Sequence, residues 1–327
     1  MTTFKEIRGT AIRSVSSDPT SPEEGQIWYN NTIGVLKCYD GTIAAWASGG
    51  NLTTARFGLA GAGTQTESLA VGGETPGGAS NATEEYNGST WGPGGNMGTA
   101  RYRLSGCGTQ TAGLAFGGQI APGAITNATE EYNGSTWGPG GNLGTSRARL
   151  GGLGTQTAGL AFGGFIPPAP SSTNSSATEE YDGSVWTGGG NLGAGRQFIA
   201  GCGLQTAGLA FGGGNPNTNS TEEYNGSTWT SGGNLGTARQ NLVGAGTQTA
   251  GLAFGGLIPP ATGATELYDG TSWTTSPASM GTARYGFAGG GTQTAGVGFG
   301  GTTGAGVLTA TEEFTGAFLS TKTITTS

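Results

Sequence analysis

The feature that most constrains this chain is a unit of about 45 residues that returns along most of its length. Tryptophans stand at Trp46, Trp91, Trp137, Trp186, Trp229 and Trp273, and arginines follow ten or eleven places later at Arg56, Arg101, Arg147, Arg196, Arg239 and Arg284. Successive arginines are 45, 46, 49, 43 and 45 residues apart. A period in this range marks a repeat architecture, in which each unit is too small to cover its own apolar side chains and relies on stacked neighbours.

One unit reads ARYRLSGCGTQTAGLAFGGQIAPGAITNATEEYNGSTWGPGGNLGTSR and holds four short segments bounded by turn residues. Each reads as a strand. The second carries Val71, Phe116, Phe162, Phe211, Phe254 or Phe299 at one apolar position, the third reads ATEEY or a close variant of it, and the fourth opens on the tryptophan. Between the third and fourth lie Asn87-Gly88, Asn133-Gly134, Asp182-Gly183, Asn225-Gly226 and Asp269-Gly270. Both central residues of a type I′ turn need positive φ, which these residue types tolerate best, so strands three and four are antiparallel neighbours. Glycine supplies 70 of the 327 residues, a density in which helices do not survive, and no segment shows a sustained 3.6-residue period. A four-stranded sheet repeated in this way is the sequence form of a propeller blade, its buried aromatic residues contributing about 1.5 to 3 kcal/mol each.

The glycine doublets Gly72-Gly73, Gly117-Gly118, Gly163-Gly164, Gly212-Gly213, Gly255-Gly256 and Gly300-Gly301 close strand two. With Tyr86, Tyr132, Tyr181, Tyr224 and Tyr268 ending strand three and the tryptophans opening strand four, the unit resembles the kelch motif over about residues 48 to 320. The resemblance implies an all-β, six-bladed kelch-like β-propeller. The sixth copy departs from it, with Phe314 for tyrosine and Leu319 where tryptophan is expected.

Residues 1–47 do not fit the unit, and the sequence divides into this N-terminal segment and a propeller over 48–327. GQIWYNNTIGVLKCYDGTIAAW reads as three strands joined by turns. Preceded by SVSSDPTSPEEG, it resembles the short β-modules of tailed-bacteriophage fibre and other virion proteins, in which GxIxYN, LxxYxG and a tryptophan recur. That resemblance implies a virion location and an arm, residues 1 to about 30, that docks the propeller onto another virion protein. The alternative is a divergent seventh blade with FKEIRGTAIRSV as its innermost strand.

The function classes narrow by charge and by missing residues. Charged side chains make up 10% of the chain at a net charge of −7, which gives no basis for capturing a phosphate backbone, and nucleic acid is not an expected partner. No run of about 18 apolar residues suggests membrane insertion, and the N-terminus lacks the apolar stretch of a secretory signal, so a soluble chain is expected. Histidine is absent, removing the commonest neutral-pH base and the commonest ligand for zinc, copper and iron; neither metal nor cofactor is expected. Kelch-bearing copper oxidases need histidine, and the Asp-box of propeller sialidases needs an aspartate where this chain has tyrosine, as in Tyr181-Asp182-Gly183. Cys107 and Cys202 occupy equivalent repeat positions and read, with Cys38, as packing residues rather than a disulfide framework.

In a propeller the connections from strand two to three and from strand four to the next blade share one face. The other face carries near-identical GTQT and NGST loops; this one varies from copy to copy. Its candidate contact residues are Ile120, Pro122, Phe165, Ile166, Pro167, Pro168, Asn215, Asn217, Leu257, Ile258, Pro259 and Pro260. Variable loops on a rigid scaffold are where recognition usually resides, although loops also drift freely in length and sequence. The six repeat arginines admit two readings: a ring at the channel mouth for an anionic glycan, or ion pairs with the repeated glutamates, of which Glu84-Glu85 is one copy. Those glutamates recur without a preferred copy, whereas catalysis by paired carboxylates needs one distinct site. The sequence therefore predicts a non-enzymatic virion component of a tail, fibre or surface appendage, presenting a propeller face to host glycan or a neighbouring virion protein. A polysaccharide-acting propeller enzyme and a capsid decoration protein are the alternatives.

Overall fold

The computed structural model describes residues 12–17, 26–42, 44–121, 124–167 and 173–324. Among these residues the chain is entirely β, with no helix. It forms two compact units: Met1–Ala45 with Gly316–Ser327, and Trp46–Thr315.

The larger unit is built from four-stranded antiparallel sheets that repeat one plan. In the first, Ala60–Gly63 pairs with Ser68–Val71, that strand with Thr83–Tyr86, and that one with Trp91–Pro93. The same order follows from Ser105–Gly108 to Trp137–Pro139, from Gly151–Thr155 to Trp186–Gly188, from Ala200–Leu204 to Trp229–Ser231 and from Val243–Gly246 to Trp273–Thr275. The Asn-Gly and Asp-Gly turns place each tryptophan opposite a tyrosine, as in Trp91 with Tyr86 and Trp137 with Tyr132. The architecture is propeller-like, in line with the expectation from the repeat.

The sixth sheet differs in the origin of one strand. Ala288–Gly291, Ala295–Phe299 and Thr311–Thr315 pair in order, but the fourth member is Ala45–Ser48, from the opposite end of the sequence. Leu319, expected at the sixth tryptophan position, instead lies in Phe318–Ile324, which pairs with Val35–Thr42 in the smaller unit. The reason is chemical. Trp46 brings the indole that every other fourth strand brings, and its Nε1–H donates to Thr265 Oγ1 at 2.9 Å, as Trp91 does to Thr311 and Trp137 to Thr83.

Apolar packing runs from one sheet into the next. One buried cluster joins Leu69, Val71 and Ala60 to Ala115 and Tyr132 of the following copy, with Trp137 against it; another joins Leu114 and Phe116 to Ala161, Tyr181 and Trp186. Phe116 and Trp186 meet edge to face at 4.9 Å. Each GTQT glutamine adds a polar clamp: Gln110 Nε2 donates to the carbonyls of Ser68 and Tyr86 in the preceding copy, and Gln65 to those of Gly296 and Phe314 in the last. The innermost strands lie close together. A Cβ added at Gly61 would stand 2.9 Å from the Gly289 carbonyl, which only glycine permits.

The smaller unit has a different plan. Arg13–Val15 runs parallel to Ile27–Asn30, which is antiparallel to Val35–Thr42, which is antiparallel to Phe318–Ile324. Trp28 is fully buried in it. The parallel pair and the strand from the far end of the sequence set this sheet apart from the repeated ones. Residues 1–11 and 18–25 of the expected docking arm lie outside the described residues.

Candidate functional site

The six repeat arginines settle into one geometry, and it is structural. Arg56 Nη1 donates to the carbonyls of Gly72 (2.9 Å) and Ala82 (2.7 Å), and Nη2 to Glu84 Oε1 at 2.7 Å. The pattern recurs at Arg101–Glu130, Arg147–Glu179, Arg196–Glu222, Arg239–Glu266 and Arg284–Glu312, with nitrogen–oxygen distances of 2.5 to 2.9 Å. All six guanidinium groups are buried; Arg196 is 4% exposed and the others are fully enclosed. Burial pushes each guanidinium below its usual value and the glutamate opposes that shift. These arginines hold the glycine doublet that ends strand two to the start of strand three. They do not form a free cationic ring.

The second glutamate of each pair is spoken for as well. Glu85 accepts the Tyr132 hydroxyl at 2.5 Å, Glu131 that of Tyr181, Glu180 that of Tyr224, Glu223 that of Tyr268 and Glu313 that of Tyr86. Asp182 and Asp269 accept backbone N–H groups of their own turns, which lower both carboxyls below the ordinary aspartate value. Among the described residues of the larger unit, only Glu67 and Glu74 have no such structural partner.

The irregular chemistry gathers two residues after each repeat arginine. Gly58, Arg103, Arg149, Phe198, Asn241 and Gly286 occupy equivalent places and share φ between +53° and +60°. Their backbones are joined head to tail. Arg103 N–H donates to Gly58 O (2.5 Å), Arg149 to Arg103 (2.8 Å), Phe198 to Arg149 (2.7 Å), Asn241 to Phe198 (3.0 Å), Gly286 to Asn241 (3.2 Å) and Gly58 to Gly286 (2.6 Å), so the series returns to its start. A cavity of about 100 Å³ is lined by all six and floored by the apolar residues that follow them, among them Leu104, Leu150 and Phe287. The left-handed conformation is the one glycine adopts freely, and for other residues it costs about 1 to 2 kcal/mol.

Four of the six places nevertheless hold large or polar side chains. Arg149 stacks on two aromatic faces, with its guanidinium carbon 4.9 Å from the Phe165 ring centroid and 4.8 Å from that of Phe198. Arg149 Nη1 donates to Gln197 Oε1 at 2.8 Å. Arg103 lies 5.2 Å over Tyr102 and donates to Gln119 Oε1 at 2.9 Å. Neither has a carboxylate within ion-pair distance among the described residues. Partial burial, and then the neighbouring Arg103 charge, push Arg149 below the usual guanidinium value.

A second cavity, of about 330 Å³, adjoins the first through Arg149 and Phe198 and is lined further by Gln197, Asn215, Pro216, Asn217 and Gln240. The strand two-to-three loop and the strand four-to-one connection therefore meet on one face, as the sequence predicts. Of the expected contact residues, Asn215 and Asn217 line the second cavity, and Phe165 lines neither but stacks on Arg149. Ile120 and Pro167 are exposed elsewhere on the loops; Ile166, Leu257, Ile258, Pro259 and Pro260 line neither cavity, though Asn217 Nδ2 donates to the Leu257 carbonyl at 3.1 Å. Pro122 and Pro168 lie outside the described residues. Sequence reasoning overlooked Arg103, Arg149, Phe198 and Asn241. A signal was present: the repeats contain two arginines more than the one each unit requires.

A further cavity is lined by glycine, alanine, leucine, Cys107 and Cys202. Burial pushes the Cys107 and Cys202 thiols up to about 12. A larger cavity of about 510 Å³ lies against Arg196, Glu222 and Asn215, but its arginine and glutamate are already paired with each other. No group of three or more metal-ligating side chains occurs among the described residues, and no helix is long and apolar enough to cross a membrane. No protein-family model matches the sequence, and no curated protein matches it.

Proposed function

We propose that residues 46–315 form a closed, six-bladed, kelch-like β-propeller that works as a non-enzymatic recognition module of a bacteriophage virion, in a tail, fibre or surface appendage. Its variable-loop face makes the contact with a host glycan or a neighbouring virion protein, and the N-terminal segment attaches it to the particle. The backbone series that leads from Gly58 through five repeats and back supports closure with six blades, as does the completion of the last sheet by Trp46.

One observation carries the recognition reading: chemical irregularity is concentrated at a single mouth, while the carboxylates that could cut a glycosidic bond are committed to the scaffold. Glu67 and Glu74, the two with no structural partner, flank the strand Ser68–Val71 at opposite ends. Neither of them lines any of the cavities described above, whereas paired glycosidase carboxylates face each other across one cleft. The virion assignment rests on the sequence resemblance of the N-terminal segment alone.

The test is an array of host-surface glycans and purified virion proteins, read for binding and for product release, together with localisation of the chain in intact particles. Binding without turnover, by a chain found in a surface appendage, is expected. Shortening of any polysaccharide by the purified chain overturns the non-enzymatic reading, and its absence from particles overturns the virion one.

A further inference from the structure

Six of the eight arginines in the larger unit are buried against glutamate; the other two, Arg103 and Arg149, are adjacent on the axial mouth and face no carboxylate. We propose that Arg103, Arg149 and Phe198, with the neighbouring loop amides, bind the carboxylate of an acidic sugar, of the uronic or sialic acid class. This rests on the recognition reading above and names its ligand class and site.

Four lines of argument converge. Two like charges held one repeat apart repel each other unless an anion lies between them, and the Arg149 backbone N–H ties it to the Arg103 carbonyl at 2.8 Å. Stacking between Phe165 and Phe198 fixes the plane of the Arg149 fork, which makes a single hydrogen bond among the described residues and keeps donors for a bidentate carboxylate.

Both arginines hold a left-handed conformation that glycine adopts at the equivalent Gly58 and Gly286, so the scaffold does not require a side chain there. Strain kept where a strain-free residue serves equally well points to a ligand role. The adjoining cavity of about 330 Å³ suits one sugar residue and lies near the lower end of ligand-site volumes, about 300 to 1,000 Å³. Its wall supplies the Phe198 ring for a sugar face and the amides of Gln197, Asn215, Asn217 and Gln240 for hydroxyls, with no acidic side chain to repel a carboxylate.

The full chain is titrated by ligand-observed NMR with glucuronate, N-acetylneuraminate, the methyl ester of glucuronate, glucose and sodium sulfate at constant ionic strength. At least one of the two acids is expected to bind, with the ester and glucose at least about tenfold weaker, the loss expected when a charge-assisted pair is removed. Arg149→Gly and Arg149→Gln are each expected to weaken the acid about tenfold or more in a chain that circular dichroism shows to be still folded, and Arg103→Gly likewise.

Failure of both acids to bind, equal binding of acid and ester, or unaltered affinity in folded Arg149 variants overturns the proposal. Sulfate binding as tightly as either acid overturns the sugar and leaves a generic anion site. Capture of neutral glycans or a virion protein at unrelated loops sinks this inference while leaving the recognition reading intact, whereas bond cleavage sinks that reading instead.

Discussion

The Tyr86 hydroxyl donates to Glu313 Oε1 at 2.6 Å, across 227 residues of sequence. It is the same contact that Tyr132 makes with Glu85 between consecutive copies, so the first and last repeats meet through the chemistry that joins neighbours. One interface lacks it. Leu267 stands where the acceptor glutamate would be, and Phe314 where the donor tyrosine would be, so that both halves of the hydrogen bond are missing together and neither partner is left orphaned.

That natural double replacement sets an expectation for the others. Tyr132→Phe leaves the Glu85 carboxylate without its donor and is expected to cost about 1.5 to 3 kcal/mol. Adding Glu85→Leu is expected to cost less than the two single changes summed, because it removes the stranded acceptor. Urea unfolding of the two single variants and the double variant measures the coupling, and strict additivity would show that the contact contributes nothing.

The buried arginines are expected to be far less forgiving. Arg147→Met strands Glu179 and the carbonyls of Gly163 and Ala177, and a loss of about 3 to 5 kcal/mol is expected. Pairing it with Glu179→Leu restores part of that loss but not all, since the two carbonyls still lack a donor. Thermal unfolding with matched circular dichroism baselines distinguishes these outcomes.

Trp46→Ala removes the indole of the strand that completes the sixth sheet, together with its ring contacts to Phe254 and Phe314 at 4.9 and 5.2 Å. A loss of about 3 to 5 kcal/mol is expected, comparable to Trp229→Ala within a continuous repeat. If Trp46→Ala were neutral by calorimetry while Trp229→Ala was not, the strand Ala45–Ser48 would not be a working member of that sheet.

Replacing Arg149 with glycine is expected to leave stability within about 1 kcal/mol of the parent, or to raise it, because relief of the left-handed strain offsets the greater freedom of the unfolded chain. Arg149→Ala, which loses the same stacking on Phe165 and Phe198 but keeps the strain, is expected to be the less stable of the two. Differential scanning calorimetry of both variants decides.

Alkaline pH is expected to weaken the fold in a defined window. Burial, and then the hydrogen bond to glutamate, raise the Tyr86, Tyr181, Tyr224 and Tyr268 hydroxyls from 10.0 to about 12. With the folded value above the unfolded one, the stabilisation is complete below about pH 10 and is lost as pH rises through about 12. Stability should therefore fall across that interval, and tyrosinate absorbance at these residues should lag behind that of the denatured chain.

Much of the fold was legible because its determinants are local and repeated. The Asn-Gly and Asp-Gly turns, the Gly-Gly ends of strand two and the Phe and Trp positions each announce one strand boundary, and each recurs in nearly every copy. The ion pairs were legible as one of two alternatives, because each repeat supplies one arginine at a fixed place and usually two adjacent carboxylates. The strand exchange at Ala45–Ser48 was not, because Leu319 sits at the expected spacing and only long-range pairing shows that Trp46 is preferred. Arg103 and Arg149 escaped notice for the opposite reason. They vary within an otherwise constant strand, and a search for periodicity passes over the positions that break it. The polar clamps made by Gln65 and Gln110 were equally hidden, since an invariant loop reads as inert surface when its side chains in fact reach back into the preceding sheet.

A sheet whose outer strand is laid down before the first repeat and whose other members come after the fifth cannot form while the chain is still emerging from the ribosome. Trp46 meets Thr265 only once 219 further residues have been made. Assembly order in the cell is thus inverted relative to synthesis: the earliest strand of the larger unit is among the last to find its place, and a nascent chain halted before residue 311 carries an unfinished edge at each end.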